Sequence, residues 1–112
     1  MDISAVQEQL RGFAKARGWE KYHSPKNLSM ALAVEAAELM ELFQWVSPEE
    51  STKASSSPAH VSRVGEELAD VLIYALRLAD VLAIDVEQAI VRKIEANASK
   101  YPADRKHEWT IE

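Results

Sequence analysis

Apolar residues recur at offsets of three and four along most of the chain, which is the spacing of one face of an α-helix. Three Ser-Pro steps, at 24–25, 47–48 and 57–58, each place an N-cap residue before a proline suited to a first helical turn. Gly18 is a natural stop for the first helix, and Pro102 prevents extension of the last. The pattern predicts four helices, at about 3–17, 25–45, 58–82 and 85–100.

Two capping signals and one polar segment complete this organisation. Ser47 and Asp85 are each followed, three residues on, by an acidic or amide side chain, as in a capping box. The small polar residues of 51–57 predict a loop. Because no run alternates with period two for long enough to form a strand, we expect an all-α four-helix bundle, with residues 1–112 as one domain.

Carboxylates interrupt the apolar stripes of the two central helices. The stripe of the second helix consists of Leu28, Leu32, Glu35, Leu39 and Leu42. The third helix repeats the anomaly with Glu67 on the stripe of Val64, Val71, Tyr74 and Leu78. Its buried side is predicted to contain Val61, Val64, Leu68, Val71, Leu72, Leu78 and Leu82. A glutamate therefore stands where a leucine is expected on each helix.

The two anomalies form a pair of matching motifs, Glu35-x-x-Glu38 and Glu67-x-x-Asp70. Helices packed along these stripes would bring four carboxylates into a partly dry place, where unpaired charges are costly and resist ionisation. A single such motif is most often a solvated helix face. Two of them within apolar stripes favour a site for a hard divalent cation such as Mg²⁺, which prefers oxygen ligands.

One histidine requires a separate interpretation. Glu20 and His23 have the spacing used by di-iron carboxylate bundles, which place such a motif on two helices. Here the motif occurs once and just before a helix start, so we expect His23 to be a loop or capping residue and not an iron ligand.

Composition and charge exclude several classes of function. The net charge of −5 disfavours binding to nucleic-acid polymers, which requires a basic face. The chain has no cysteine, which excludes disulfides, thiol catalysis and cysteine-based zinc sites. There is neither a long uninterrupted apolar run nor a basic-then-apolar N-terminus. We therefore expect a soluble cytoplasmic protein with no membrane association.

Three segments together carry a resemblance to a known family: GWEKYHSPKNLSMALAVEAAELMELFQW, EELADVLIYALRLA and KIEANASKYP. They resemble the MazG-like group of all-α nucleoside triphosphate pyrophosphohydrolases, and within it the small dCTP pyrophosphatase branch. The resemblance extends from about Trp19 to Pro102. It implies a homodimer or homotetramer of tightly packed helices, with pockets walled by more than one subunit.

The resemblance also implies roles for individual residues. The magnesium ligands would be Glu35, Glu38, Glu67 and Asp70; Trp19, Trp45 and Tyr74 would line the base and sugar pocket; Lys93 and Asn97 would reach the nucleotide. From the sequence alone, Trp19 and Trp45 fit equally well as side chains covering the core. Leu10 stands where some cytosine-preferring relatives carry a histidine, so the contacts to the base are expected to differ here.

The expected activity is Mg²⁺-dependent hydrolysis of a deoxynucleoside triphosphate, dCTP or a related or modified dNTP, to the monophosphate and pyrophosphate. Such an enzyme would cleanse the nucleotide pool. Water would attack the α-phosphorus, with Glu38 orienting or deprotonating it and Glu35 as the residue that could exchange roles. Two alternatives stay open: a relative acting on dUTP or phosphoribosyl-ATP, and a non-enzymatic helical module whose acidic stripes bind a basic partner.

Overall fold

The computed structural model describes residues 1–104. The described chain forms α1 (Ile3–Ala16), α2 (Pro25–Glu41), α3 (Pro48–Ser51), α4 (Pro58–Val81) and α5 (Val86–Lys100), with single 3₁₀ turns at Glu20–Tyr22 and Ala54–Ser56. These residues contain no strand, which confirms the all-α class. Within the same residues, no helix combines the length and the apolar character needed to cross a membrane.

Side-chain caps start the helices at the predicted places. The Oγ atoms of Ser24, Ser47 and Ser57 each accept a hydrogen bond from the backbone N–H three residues on, at 3.2, 3.1 and 3.4 Å. Asp85 caps α5 in the same way at 3.0 Å. Asp2 caps α1 at 3.1 Å, a contact that the sequence pattern did not single out. Each cap contributes about 1 kcal/mol to helix stability.

The second long helix ends at Glu41, so the prediction that it continues to Trp45 is wrong. The backbone N–H groups of Leu42 and Phe43 donate to carbonyls three residues back, at 3.2 and 2.9 Å. Such bonds tighten the last turn of a helix and leave the following residues in turns. The predicted loop at 51–57 also contains structure, because it includes the end of α3 and a 3₁₀ turn.

The interface between α2 and α4 is the main packing contact in the fold, and α1 packs against α4 beside it. On α2, Leu28 is buried, and the half-buried positions of its stripe are Leu32, Glu35, Leu39 and Leu42. On α4, the half-buried stripe consists of Val64, Glu67, Val71, Tyr74 and Leu78. Both predicted stripes therefore face inward, and Glu35 and Glu67 face inward with them.

A large part of the apolar surface of the chain is uncovered. Four α4-side residues predicted to be buried are exposed: Val61, Leu68, Leu72 and Leu82. Among residues 1–104, the buried apolar side chains are Ala14, Leu28, Leu76 and Ala79, and α5 contributes none. The accessible surface is 9012 Å², whereas a compact monomer of this mass exposes roughly 6,200 Å². Periodicity located the apolar faces correctly, but one copy of the chain does not cover all of them.

Candidate functional site

Three carboxylates from α2 and α4 converge where the two stripes meet. One oxygen atom from each of Glu35, Glu38 and Glu67 lies within 4.8 Å of the other two. Asp70, one turn after Glu67, lies outside this group of three, but its negative charge acts on both Glu35 and Glu67. The structure therefore places all four predicted ligands in one acidic cluster. Oxygen atoms at these separations suit a shared hard cation.

Two oxygen atoms of this acidic cluster lack partners. Glu35 Oε2 and Glu67 Oε2 are buried, and no group within residues 1–104 donates a hydrogen bond to either. A buried polar atom left in this state is unfavourable, and more so when it is charged. A cation between α2 and α4 would satisfy both atoms. The residues present thus fit a metal ion on their own chemistry.

The cluster also shifts the protonation of its members. Burial, followed by contact with the Glu38 carboxyl and the charges of Asp70 and Glu67, raises the pKa of Glu35 to about 7. Burial and then Glu38 likewise raise the pKa of Glu67 above its ordinary value. Glu38 itself is exposed, so it is an accessible carboxylate beside the half-buried Glu35 and Glu67. Without a cation, the cluster resists carrying its full negative charge.

A cavity of about 270 Å³ shares Asp70 with the acidic cluster. Its apolar wall includes Leu10 and Phe13 of α1 together with Trp19, and its polar lining consists of His23, Asp70, Tyr74 and Arg77. The volume is close to the lower end of ligand pockets, roughly 300–1,000 Å³. The cavity therefore suits one ring system of a ligand and not a whole nucleotide.

The end of α1 positions Trp19 at this cavity. Gly18 has a φ of 66°, a conformation that glycine adopts without a steric penalty. The N–H of Trp19 then donates to the carbonyl of Ala14 at 2.9 Å, which closes the helix and turns the chain back. The indole packs edge-on against Phe13, with ring centres 5.6 Å apart. Trp19 is 43% exposed, so its placement is a cavity wall and not a covered core position.

One face of α4 carries the polar groups of both features. Glu67, Asp70, Tyr74 and Arg77 follow one another at offsets of three, four and three, so they lie along one side of the helix. Tyr74 is half-buried and lines the cavity, while its contact with a base or sugar stays a prediction. This helix therefore joins the acidic end of the site to its aromatic end.

Three predicted substrate-binding residues lie away from this cavity. Trp45 follows the end of α2 and is 89% exposed. Lys93 and Asn97 are exposed on α5 and share a helix face with the half-exposed Ile90. None of the three lines the cavity formed by the described residues, and their roles remain predictions.

His23 and Arg77 belong to the cavity wall. The sequence reasoning expected His23 to be a loop or capping residue near the pocket and gave no role to Arg77. His23 ends the 3₁₀ turn, which confirms its placement as a capping residue. Arg77 Nε donates a hydrogen bond to His23 Nδ1 at 3.1 Å. A signal for Arg77 was present, because it interrupts the apolar face of α4 ten residues after Glu67, much as the glutamates do.

These features define a class: an all-α protein in which carboxylates of two packed helices adjoin an aromatic cavity. The sequence profile of the MazG-like family matches residues 30–112, so the match extends past the described part of the chain. The chain belongs to the MazG-like family.

Its similarity to characterised proteins is close. It is 43% identical over 90 residues to dCTP pyrophosphatase 1 of Bos taurus, which covers 80% of this chain and 53% of the relative. It is also 43% identical over 91 residues to dCTP pyrophosphatase 1 of Homo sapiens, covering 81% and 54%. The chain thus spans about half the length of these relatives.

The fold also resembles a solved structure. A pyrophosphatase from Archaeoglobus fulgidus superposes with a TM-score of 0.81 at 45% sequence identity, covering 88% of this chain and 91% of that one.

Proposed function

We propose that this protein is a Mg²⁺-dependent nucleoside triphosphate pyrophosphohydrolase that converts dCTP or a related dNTP to its monophosphate and pyrophosphate. The observation that carries the proposal is the pair of buried, partnerless oxygen atoms Glu35 Oε2 and Glu67 Oε2 beside the aromatic cavity. The names of the relatives, dCTP pyrophosphatase 1 and an archaeal pyrophosphatase, support the same activity. Residues 1–112 would act as one catalytic domain on the nucleotide pool of the cytoplasm.

The proposed metal ligands are Glu35, Glu38, Glu67 and Asp70. All four offer oxygen atoms, which are the ligands that Mg²⁺ prefers, and the two buried oxygen atoms that have no partner within residues 1–104 support a bound cation. When bound, Mg²⁺ neutralises phosphate charge and acts as a Lewis acid.

In the proposed reaction a water molecule attacks the α-phosphorus in line, and the bond from that phosphorus to the oxygen bridging to the β-phosphorus breaks. Pyrophosphate leaves, and the deoxynucleoside monophosphate remains. Glu38 would orient the water and accept its proton, because it is the exposed member of the three tightly grouped carboxylates. Glu35, whose pKa lies at about 7, is the second candidate for this role.

The base of the nucleotide would occupy the aromatic cavity, with Trp19 and Tyr74 in its wall. Stacking on an aromatic side chain contributes about 1–3 kcal/mol per base and discriminates poorly between bases. Because Asp70 belongs both to the acidic cluster and to the cavity lining, a ligand could have its phosphates at one and its base at the other.

We also propose that the chain acts as a homodimer or homotetramer. Support comes from the uncovered apolar side chains of α5, where Ile90, Val91 and Ile94 are about half exposed or more. Lys93 and Asn97 flank Ile90 on the same face, so docking of this face would bring them to a second copy. Their predicted nucleotide contacts would then be made in the site of that copy.

A substrate panel tests the proposed activity. Purified protein is incubated with Mg²⁺ and dCTP, dUTP, dATP, dGTP, dTTP or phosphoribosyl-ATP, and pyrophosphate release is measured. We expect release from dCTP or a close relative, and none in EDTA. Faster release from dUTP or phosphoribosyl-ATP would identify a different pyrophosphatase of this family. If no substrate is cleaved and millimolar Mg²⁺ neither stabilises the protein nor promotes nucleotide binding, the helical interaction module is the better explanation.

A further inference from the structure

A chain of hydrogen bonds lies next to the cavity and is not used by the reaction described above. Arg11 donates two hydrogen bonds to the carboxylate of Asp80, both 2.9 Å long. Arg77 Nη1 donates to the same carboxylate at 3.3 Å, while its Nε donates to His23 Nδ1 at 3.1 Å. Arg77 is only 7% exposed, although its helix faces mostly apolar neighbours. Burying a guanidinium is costly unless such partners fix it.

The contact between Arg77 and His23 determines where the imidazole carries its proton. A guanidinium is always a donor and never an acceptor. The nitrogen atom of His23 that faces it must therefore be unprotonated, so the hydrogen of the neutral ring lies on Nε2. Burial and then the positive charge of Arg77 lower the pKa of His23, which favours this neutral form at neutral pH.

Within the described part of the chain, His23 Nε2 has no hydrogen-bond partner. No acceptor within residues 1–104 pairs with it, and the imidazole is a half-buried part of the cavity lining. Its ring centre lies 6.4 Å from that of Trp19, so it borders the surface on which a base would stack. The result is a donor of fixed tautomer at the edge of an aromatic cavity.

We infer that Arg77 is a positioning residue that fixes His23 as a hydrogen-bond donor, and that His23 Nε2–H recognises a carbonyl oxygen on the base of the bound nucleotide. This inference rests on the proposed function, since it assigns the cavity to the base.

A carbonyl oxygen is the group on a base that fits a fixed donor. Among the other lining residues, Leu10 and Phe13 offer no polar atom, Asp70 is an acceptor when ionised, and the hydroxyl of Tyr74 can donate or accept. A fixed donor in such a wall selects a ligand acceptor, and a base whose acceptors do not reach it leaves the donor unpaired on burial. Pyrimidines carry a carbonyl oxygen that projects from the ring beside the glycosidic nitrogen, whereas the acceptors of adenine are nitrogen atoms within its rings. His23 therefore favours pyrimidine nucleotides over dATP.

The tautomer is tested first, on the wild-type protein without nucleotide, by nitrogen-15 NMR of the histidine rings. We expect the His23 signals of a neutral ring with a bare Nδ1 and a protonated Nε2. Arg77→Met should give a mixture of tautomers, while Arg11→Met, which leaves the Arg77 contact in place, should not. A proton on Nδ1 in the wild-type protein would overturn the inference without any variant having to fold.

Recognition is tested by kinetics with dCTP and dATP. His23→Leu should raise KM for dCTP by about five- to tenfold, the effect of one lost hydrogen bond, with little change in kcat. It should also reduce the preference for dCTP over dATP. His23→Gln should restore much of both, because its amide oxygen can accept from Arg77 while its NH₂ group donates to the base.

The outcomes separate the inference from the proposed function. An active wild-type protein whose His23→Leu variant keeps the same KM and base preference would overturn the inference alone. If the wild-type protein neither binds nor cleaves any nucleotide, the proposed function fails, and base recognition by His23 fails with it.

Discussion

Glu35 on α2 and Glu67 on α4 each have one buried carboxyl oxygen to which no group of residues 1–104 donates a hydrogen bond. Two such atoms on packed helices are unusual, because most buried polar side-chain atoms have at least one partner. Burial and the neighbouring carboxyl of Glu38 raise the pKa of both residues, and the negative charges of Asp70 and Glu67 raise that of Glu35 further, so full ionisation of the cluster is opposed by charge repulsion. A bound cation would turn this repulsion into a source of stability.

Glu67→Gln should abolish pyrophosphate release, because an amide cannot provide the negative charge that holds Mg²⁺. The far-ultraviolet circular dichroism should stay helical, since the side chains have nearly the same shape. Glu66→Gln is the matched control, because Glu66 is the exposed neighbour of Glu67, and it should keep its activity. Activity of Glu67→Gln within a few-fold of the wild-type rate would contradict the metal assignment.

The stability of the metal-free protein should fall as the pH rises. The pKa of Glu35 is about 7 in the folded chain and 4.5 ordinarily. Because the pKa is higher in the folded chain, the contribution of Glu35 to the free energy of unfolding is fully present below about pH 4.5. It is lost as the pH rises through about 7. Thermal unfolding in EDTA should show this decline over that range. In Glu35→Gln, which cannot ionise at this position, the decline should be smaller.

Magnesium should reverse this loss. Millimolar Mg²⁺ should raise Tm more at about pH 8 than at about pH 5, because the ion binds the ionised carboxylates and competes with protons. Glu35→Gln should show a smaller rise than the wild-type protein, and Glu41→Gln, an exposed change on the same helix, should behave like wild type. An equal Tm with and without Mg²⁺ at the higher pH would count against a cation site.

Trp19→Ala should raise KM for the nucleotide by roughly tenfold, the loss of one stacking partner. Tyr22→Ala removes an exposed aromatic side chain that does not line the cavity, and its KM should match wild type. Both are measured with the best substrate of the panel, alongside thermal unfolding. If Trp19→Ala loses stability but keeps its KM, this tryptophan serves the packing and not the ligand.

Ile94→Glu should disrupt association, because it places a charge within the exposed apolar face of α5. Sedimentation velocity should show a smaller species than the wild-type protein forms. Ala96→Glu adds the same charge on the opposite side of the helix and should leave the assembly unchanged. A wild-type protein that sediments as a monomer at micromolar concentration would refute the proposed assembly.

The sequence could predict those features that depend on local spacing. The carboxylate motifs were identifiable because offsets of three and four fix which side chains share a helix face. The end of α2 could not be identified from the sequence, because the turns after Glu41 have the same apolar pattern as a helix and differ from it only in their hydrogen bonds. The contact between Arg77 and His23 was also inaccessible, because it joins residues 54 positions apart.

Exposure was predicted less well than periodicity. Leu68 and Leu72 have the spacing of buried residues, but they are about half exposed, and no helix within residues 1–104 covers them fully. A pattern of apolar positions shows that a face needs a partner and does not show which chain provides it. The same limit applies to Lys93 and Asn97, whose predicted contacts depend on what α5 docks against.

The face of α4 from Glu67 to Arg77 fixes both the distance between the acidic cluster and the cavity wall and their orientation about the helix axis. Ten residues of helix rise by about 15 Å, a length fixed by backbone geometry and not by flexible loops. The helix therefore fixes the distance between the acidic cluster and the aromatic cavity. Inserting one residue between Asp70 and Tyr74 would rotate the two ends by about 100° relative to each other, so that the acidic cluster and the aromatic cavity could no longer face the same ligand.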